Sequence, residues 1–375
     1  MRTMPDTLPA HDLLVVDSLQ GMVRTAPLAP AVVTPEAAPN SVADIMRKLA
    51  EWQGDFVAGR SSATIRAVRA DWAQYIAWCE STGQTPLPAP FEQLEAFLRH
   101  AIVCGRKRST IDRYLYTVTL VHQAAGLPSP TADARWKNKW KILVRELGTR
   151  GGNKRTQAGQ LVATDIERIV STLGTSKRDL RDAAMLLLAS DTLLRESELV
   201  RVEVAHFEPN AAKGTFSLYV PFSKTNQSGE DEDYRHVDAD TMAAVQRWLD
   251  AAGITEGVVF RPIGGRKRAA VKVAEDSGNT PPVVPLGAQE VARIFRRRAV
   301  STGLDHALTV SGHSTRVGSA NDLINQGFTT AQIQDAGRWK SPDMVQLYTR
   351  RSQAGANAVA DLRRKQKASR DSVDR

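Results

Sequence analysis

Residues 311–351 read SGHSTRVGSANDLINQGFTTAQIQDAGRWKSPDMVQLYTRR. His313 and Arg316 stand three apart, a spacing that puts both on one helix face and lets them converge on one point. Trp339 follows, an indole whose N–H is a fixed donor. Tyr348 comes next and is the only tyrosine after Tyr234. A phenol becomes a nucleophile where nearby positive charge favours its ionised form. The stretch therefore reads as part of a site in which the Tyr348 oxygen attacks an electrophile held by cationic side chains.

The whole chain fits a polyanionic electrophile. Its 375 residues suffice for two domains plus tails, and a 42% hydrophobic share is that of ordinary globular structure. Net charge is +9 and the sequence pI is about 9.7, values that point to nucleic acid. Cys79 and Cys104 lack CxxC spacing, which excludes a disulfide framework or a zinc cluster, and both read as helix-packing residues. No apolar run reaches membrane-spanning length, so no membrane partner is expected. HDLLVVDSLQGMV, near the N-terminus, is short and acidic rather than a secretory leader, and a cytoplasmic place beside DNA is expected.

Upstream, residues 1–40 are rich in Pro and Ala and read as a disordered arm. Helical periodicity begins at Asn40 or Ser41, either of which can cap a helix carrying Ile45, Leu49 and Trp52. SSATIRAVRADWAQYIAWCE places Ile65, Val68, Trp72, Tyr75, Ile76 and Cys79 on one face and leaves Arg66 and Arg69 off it. FEQLEAFLRHAIV is amphipathic. In GRKRSTIDRYLY, Ser109 with Asp112 resembles a capping box, which sets Arg106, Lys107 and Arg108 just ahead of a helix N-terminus where phosphate is favoured. Arg113 lies one turn inside that helix, placed to enter a groove. ARWKNKWKILVREL closes an all-α domain over 41–147, and the Gly-, Lys- and Arg-rich 148–160 reads as a basic linker.

The second domain is expected over 161–365, followed by a basic tail, 366–375. Thr164 with Glu167 suggests a capping box and KRDLRDAAMLLLASDTLL a buried helix, with RESELVRVEVAHF following directly. TFSLYVPF, YRHVD and VVF are strand candidates, so this domain is helical with a small sheet. Residues 261–284 form a long basic loop. In PLGAQEVARIFRRRAV, Gln289, Arg293 and Arg296 share a face.

Breaking a phosphodiester takes a nucleophile, neutralisation of the non-bridging oxygens and a proton for the leaving oxygen. The chain has no GxxxxGK[ST] loop and no His/Cys cluster at ligand spacing. It offers Arg195 at a helix-to-helix corner, with a guanidinium fork suited to phosphate. Glu198, three residues on, reaches the same face. Lys224, in a turn between strand candidates, suits a donor to the leaving oxygen.

The order Arg195, Lys224, His313-x-x-Arg316, Trp339, Tyr348 resembles the tyrosine site-specific recombinase (phage integrase) family. TLLRESEL, SGHSTRVGSA, AGRWKSPDM and the Tyr348 context carry the likeness, which extends over about residues 42–365. It implies a mainly α protein with an N-terminal all-α core-binding (SAM-like) domain and a C-terminal α+β catalytic domain with a small antiparallel sheet. By the resemblance Arg195 and Arg316 clamp the scissile phosphate, His313 supports them, and Lys224 protonates the leaving 5′ oxygen. Trp339 bonds the phosphate, Glu198 holds the site together, and Tyr348 forms a 3′-phosphotyrosine link. That link conserves the bond energy, so neither ATP nor a metal cofactor is expected.

The expected partner is double-stranded DNA with inverted-repeat half-sites. Arg66, Arg69, Arg106, Lys107, Arg108, Arg113, Gln289 and Arg293 are its candidate contacts, with Arg113 and Gln289 where relatives read bases. RSQAGANAVADLRRKQK, with Ala356, Val359, Ala360 and Leu362 apolar, is a helix candidate that the resemblance would donate to a neighbouring subunit of a tetramer on two sites. A relaxing enzyme of the type IB topoisomerase kind would use similar chemistry without synapsis; the helical first domain and the tail favour recombination.

Overall fold

The protein is described here by a computed structural model covering residues 41–154, 157–221, 232–264, 284–354 and 358–373. Its internal contacts divide the chain into two units between positions 155 and 156. Lys224, the arm at 1–40 and most of the basic loop (265–283) lie outside the described residues.

Among the described residues of the first unit the apolar stripes form five helices: α1 (Val42–Gly59), α2 (Ser62–Thr82), α3 (Phe91–Val103), α4 (Arg108–Ala124) and α5 (Trp136–Thr149). Ser41 caps α1, accepting from the Asp44 N–H at 3.2 Å. Trp72, Tyr75 and Cys79 from α2 pack with Phe97 and Leu98 from α3 and Val118 from α4 in one core. Replacing Trp72, 1% exposed, by alanine removes about 3–5 kcal/mol of packing.

Two details depart from expectation. The Ser109–Asp112 capping box does not form: α4 starts at Arg108, and the Asp112 carboxylate accepts from Arg108 Nε at 2.8 Å instead of reaching back. An i,i+4 guanidinium outcompetes a backbone N–H for that carboxylate. Cys79 is buried, whereas Cys104 is exposed, because α3 ends one residue before it.

The second unit is built on α7 (Lys177–Thr192), whose Ala184, Met185, Leu186, Leu188 and Ala189 are all buried, the mark of a helix enclosed on every side. Preceding it is α6 (Ala163–Ser171), and the one-turn α8 (Glu196–Leu199) follows. Strands β1 (Phe207–Asn210), β2 (Thr215–Tyr219) and β3 (Tyr234–Val237) make an antiparallel sheet in that order. Phe207 faces Leu218 and Phe216 faces Val237, so the apolar residues share one face with Arg235. Then come α9 (Ala239–Ala252) and α10 (Ala288–Ser301). Two of the arginines in FRRR reach the buried Asp182, Arg297 and Arg298 donating to it at 2.9 and 2.8 Å. The unit ends with α11 (Ser314–Asn325), α12 (Thr330–Gly337), α13 (Pro342–Ala354) and α14 (Ala358–Val373). No helix among the described residues is long and apolar enough to cross a membrane.

The result is the expected mainly α protein with a small antiparallel sheet, refined in five details. RESELVRVEVAHF is helical only over α8, then passes through a 3-10 turn (Val204–His206) into β1. VVF is no strand: Val258 makes an isolated bridge with Glu203. At α6 the backbone N–H of Val162 is met by Asp165, at 3.3 Å, so the Thr164–Glu167 box does not form. Residues 148 and 149 still belong to α5, and Gln157 and Gly159 bond into the second unit, which leaves a shorter linker than 148–160. The tail at 366–375 is helical through Val373, since Lys, Gln, Arg and Ala favour helix without an apolar stripe.

Candidate active site

Two sharp corners present the site. After α7, Leu193 adopts the left-handed conformation (φ 49°) and turns the chain so that Arg195 becomes the N-cap of α8. After α12, Arg338 does the same (φ 51°) and brings Trp339 back against the helix it has left. Gly337 permits that fold-back, because a Cβ there would sit 2.1 Å from a Trp339 ring carbon. Leu193 and Arg338 are the only non-glycine residues with positive φ among those described, and each such residue costs about 1–2 kcal/mol.

Arg316 fastens both corners. It is 1% exposed; one terminal nitrogen donates to the Leu193 carbonyl and the other to the Gly337 carbonyl at 2.7 Å. Its guanidinium carbon lies 4.9 Å from the centre of the Trp339 ring. Burial, and after it the neighbouring Arg195, push this guanidinium down to about 10, while Tyr348 and Glu198 hold it up; it stays cationic at neutral pH.

Glu198 organises the second arginine. Its Oε1 accepts from Arg195 Nη1 at 2.8 Å, and its Oε2 accepts from the Arg195 backbone N–H at 2.9 Å. Burial pushes the carboxyl up, but Arg338 and Arg195 outweigh it and hold Glu198 below the usual range. Nε and Nη2 of Arg195 make no hydrogen bond among the described residues, and the side chain is 18% exposed, so two donors remain open for an anion. Tyr348, on α13, is half-buried, its ring 5.3 Å from that of Trp339. Its carbonyl accepts from Gln157 Nε2 at 2.8 Å and from Asn321 Nδ2 at 3.2 Å. The arrangement is a phenol beside a positively charged recess whose open donors suit a tetrahedral anion.

Of the residues singled out from the sequence, Arg195, Glu198, Arg316, Trp339 and Tyr348 thus come together. His313 and Arg316 were expected to converge, yet they lie at different depths, the histidine exposed at the N-cap of α11 and the arginine in the floor. Trp339, expected as a phosphate donor, is 5% exposed and packs against both Arg316 and Tyr348. Arg66, Arg106 and Lys107 are exposed and Arg69 is half-buried. Arg108 lies 4.9 Å over Trp140 while bonding Asp112. Arg113 does not project alone into solvent: its Nε donates to the buried Asp71 at 2.9 Å and its Nη2 to the same carboxylate. Gln289 and Arg293 lie on the exposed face of α10, Arg293 paired with Glu290.

Sequence reasoning missed Arg338 and Asp233. Arg338 donates to Glu198 Oε2 at 2.6 Å and to Asp233 Oδ2 at 2.5 Å. Asp233 also accepts from Arg235, which reaches the Ala336 carbonyl at 3.3 Å at the C-terminus of α12. A signal for Arg338 was present in its place between Gly337 and Trp339; Asp233 carried none.

Known proteins are similar to this chain at both levels. The model of the phage integrase family matches residues 160–354, more than half of the chain. The recombinase Cre of Escherichia phage P1 is 26% identical over 302 residues, covering 78% of this chain and 84% of its own length. An integrase/recombinase XerD homolog of Selenomonas ruminantium is 27% identical, covering 77% and 82%. The structure of the XerH site-specific recombinase bound to palindromic difH substrate, a post-cleavage complex, matches with TM-score 0.56 and 14% identity over 79% of this chain and 80% of that one. The fold is the tyrosine-recombinase fold, and the chain belongs to the phage integrase family.

Proposed function

We propose that the chain is a site-specific DNA recombinase that cleaves and rejoins strands through a 3′-phosphotyrosine intermediate. The observation that carries this is Tyr348 standing beside Arg316, which also neighbours an Arg195 with two open donors. The Tyr348 oxygen attacks the scissile phosphorus, the bond to the 5′ oxygen breaks, and that oxygen leaves with a proton supplied by Lys224. Arg195 neutralises a non-bridging oxygen through Nε and Nη2. Arg316 adds charge from the floor and fixes both corners, and Glu198 aims Arg195. His313, at the rim, assists proton transfer, and Trp339 sets the distance between Arg316 and Tyr348. The phosphotyrosine conserves the ester bond, so the 5′-OH of a second strand reverses the step without nucleotide or metal.

The names of the similar proteins, recombinases rather than relaxing enzymes, weigh against the topoisomerase reading. We further propose a homotetramer on two inverted-repeat sites in the bacterial cytoplasm, whether the gene is carried by chromosome, phage or plasmid. On α14, Val359 and Leu362 are 60% and 55% exposed, which favours donation of this helix to a neighbouring subunit. The helical unit (41–147) and the catalytic unit (161–365) then grip one half-site each time, with Arg66, Arg69, Arg106, Lys107, Arg108, Arg113, Gln289 and Arg293 toward DNA.

The test is a denaturant-resistant protein–DNA adduct, formed on inverted repeats found beside the gene. Wild type forms it, with or without excess EDTA, and Tyr348→Phe binds the DNA without forming it. An adduct trapped from Tyr348→Phe would overturn the assignment.

A further inference from the structure

The geometry points to Arg338 as a positioning residue that keeps Arg195 open to the phosphate by occupying the far oxygen of Glu198. This rests on the recombinase reading and adds to it a residue that the family likeness in the sequence did not supply. A guanidinium and a carboxylate left to themselves close into a two-pronged pair, which takes up two of the arginine's donors. Here they do not. Arg195 gives Glu198 only Nη1 from its side chain, at 2.8 Å, while Arg338 Nη2 sits at 2.6 Å on Oε2. Oε2 also holds the Arg195 backbone N–H at 2.9 Å. With both oxygens claimed, Glu198 has no reason to rotate onto Nε or Nη2 of Arg195.

Arg338 is itself held at its other end. Nη1 donates to Asp233 Oδ2 at 2.5 Å, and Asp233 sits just before β3 with Arg235 as its second partner. The Arg338 side chain is 9% exposed, and its Nε is buried without a partner among the described residues, so the two terminal nitrogens do the holding. Its backbone adopts the left-handed conformation, an arrangement that persists where surrounding contacts over-determine it. Lysine cannot replace this bridge, since one ammonium does not span two carboxylates as a planar fork does.

The experiment compares single-turnover rates of adduct formation for wild type, Arg338→Lys, Glu198→Gln and the double variant, with DNA affinity measured alongside. Expected for Arg338→Lys is roughly a tenfold slower cleavage with affinity unchanged, as befits coupled neighbours. In the Glu198→Gln background the same change adds nothing, because the carboxylate it restrains is gone. A merely structural role would slow both backgrounds alike. Wild-type rate in Arg338→Lys, or losses that multiply in the double variant, overturns the proposal. Should Arg338→Lys fail to fold, Asp233→Asn frees the other end of the bridge and is read by the same two criteria. Absence of any adduct from wild type would instead remove the recombinase reading itself.

Discussion

The arginines of the helical unit and those of the site meet their carboxylates in opposite circumstances. Arg108 is 36% exposed and pairs with an Asp112 that is 47% exposed. Arg338 is 9% exposed, Arg235 17% and Arg195 18%. An exposed pair is worth about 0–1 kcal/mol, so a phosphate can replace its carboxylate at little cost. A buried pair cannot rearrange without leaving a charge uncompensated. The first region therefore suits affinity and the second suits aim.

The widest separation between the two regions should appear in salt. If the exposed arginines supply six to ten phosphate contacts, affinity falls on the order of 10³-fold or more between 50 and 200 mM. Tyr348→Phe should keep the same slope in a filter-binding or anisotropy titration. A flat response would break the assignment of affinity to the surface arginines. Next in size, Arg195→Ala is expected to lower single-turnover cleavage by roughly 10²–10³ while leaving affinity within a few-fold; a normal rate removes Arg195 from the phosphate.

A third test falls on the helical unit alone. His122 is wholly buried, its Nε2 accepting from the Ala89 N–H at 2.9 Å and its Nδ1–H donating to the Val118 carbonyl at 2.7 Å. Only the neutral ring satisfies both, and burial lowers its pKa. A base held neutral in the fold binds fewer protons than in the unfolded chain, so stability is full above about pH 6.5 and declines as pH falls below it. The slope is at most about 1.4 kcal/mol per pH unit. His122→Gln should be less stable at pH 7.5 but lose that slope, as read from denaturant midpoints. Smallest of all, Arg108→Ala should shift those midpoints by about 1 kcal/mol or less, through its exposed pair and its place over Trp140. A larger shift would move Arg108 out of the surface class.

What was legible in the chain follows the same division. The five described helices of the first unit were readable because each carries its apolar residues at helical spacing, as Ile65 through Cys79 do. Arg195, Arg316, Trp339 and Tyr348 were readable because they lie in distinctive local strings. The hydrogen bonds among them were not. Glu198 meets Arg338 across 140 positions and Asp233 meets it across 105, separations that no local pattern records. Strand β1 was missed because Pro209 and Asn210 are poor strand formers held there by pairing with Phe216 and Thr215. The capping box at Ser109 failed because Arg108 takes the Asp112 carboxylate, and that at Thr164 because the helix already starts at Ala163, with Asp165 meeting the Val162 N–H.

The carbonyl of Tyr348 gives the nucleophile a short leash. While the Gln157 and Asn321 amides hold it, α13 neither slides nor turns, and the phenol swings only about its own two side-chain torsions. Taking the phenol out of reach then requires either that the phosphate be carried out of range or that Gln157 let go. Gln157 lies two residues beyond the junction of the two units. Gln157→Ala therefore slackens the backbone of the nucleophile while leaving the side chains of the recess unchanged.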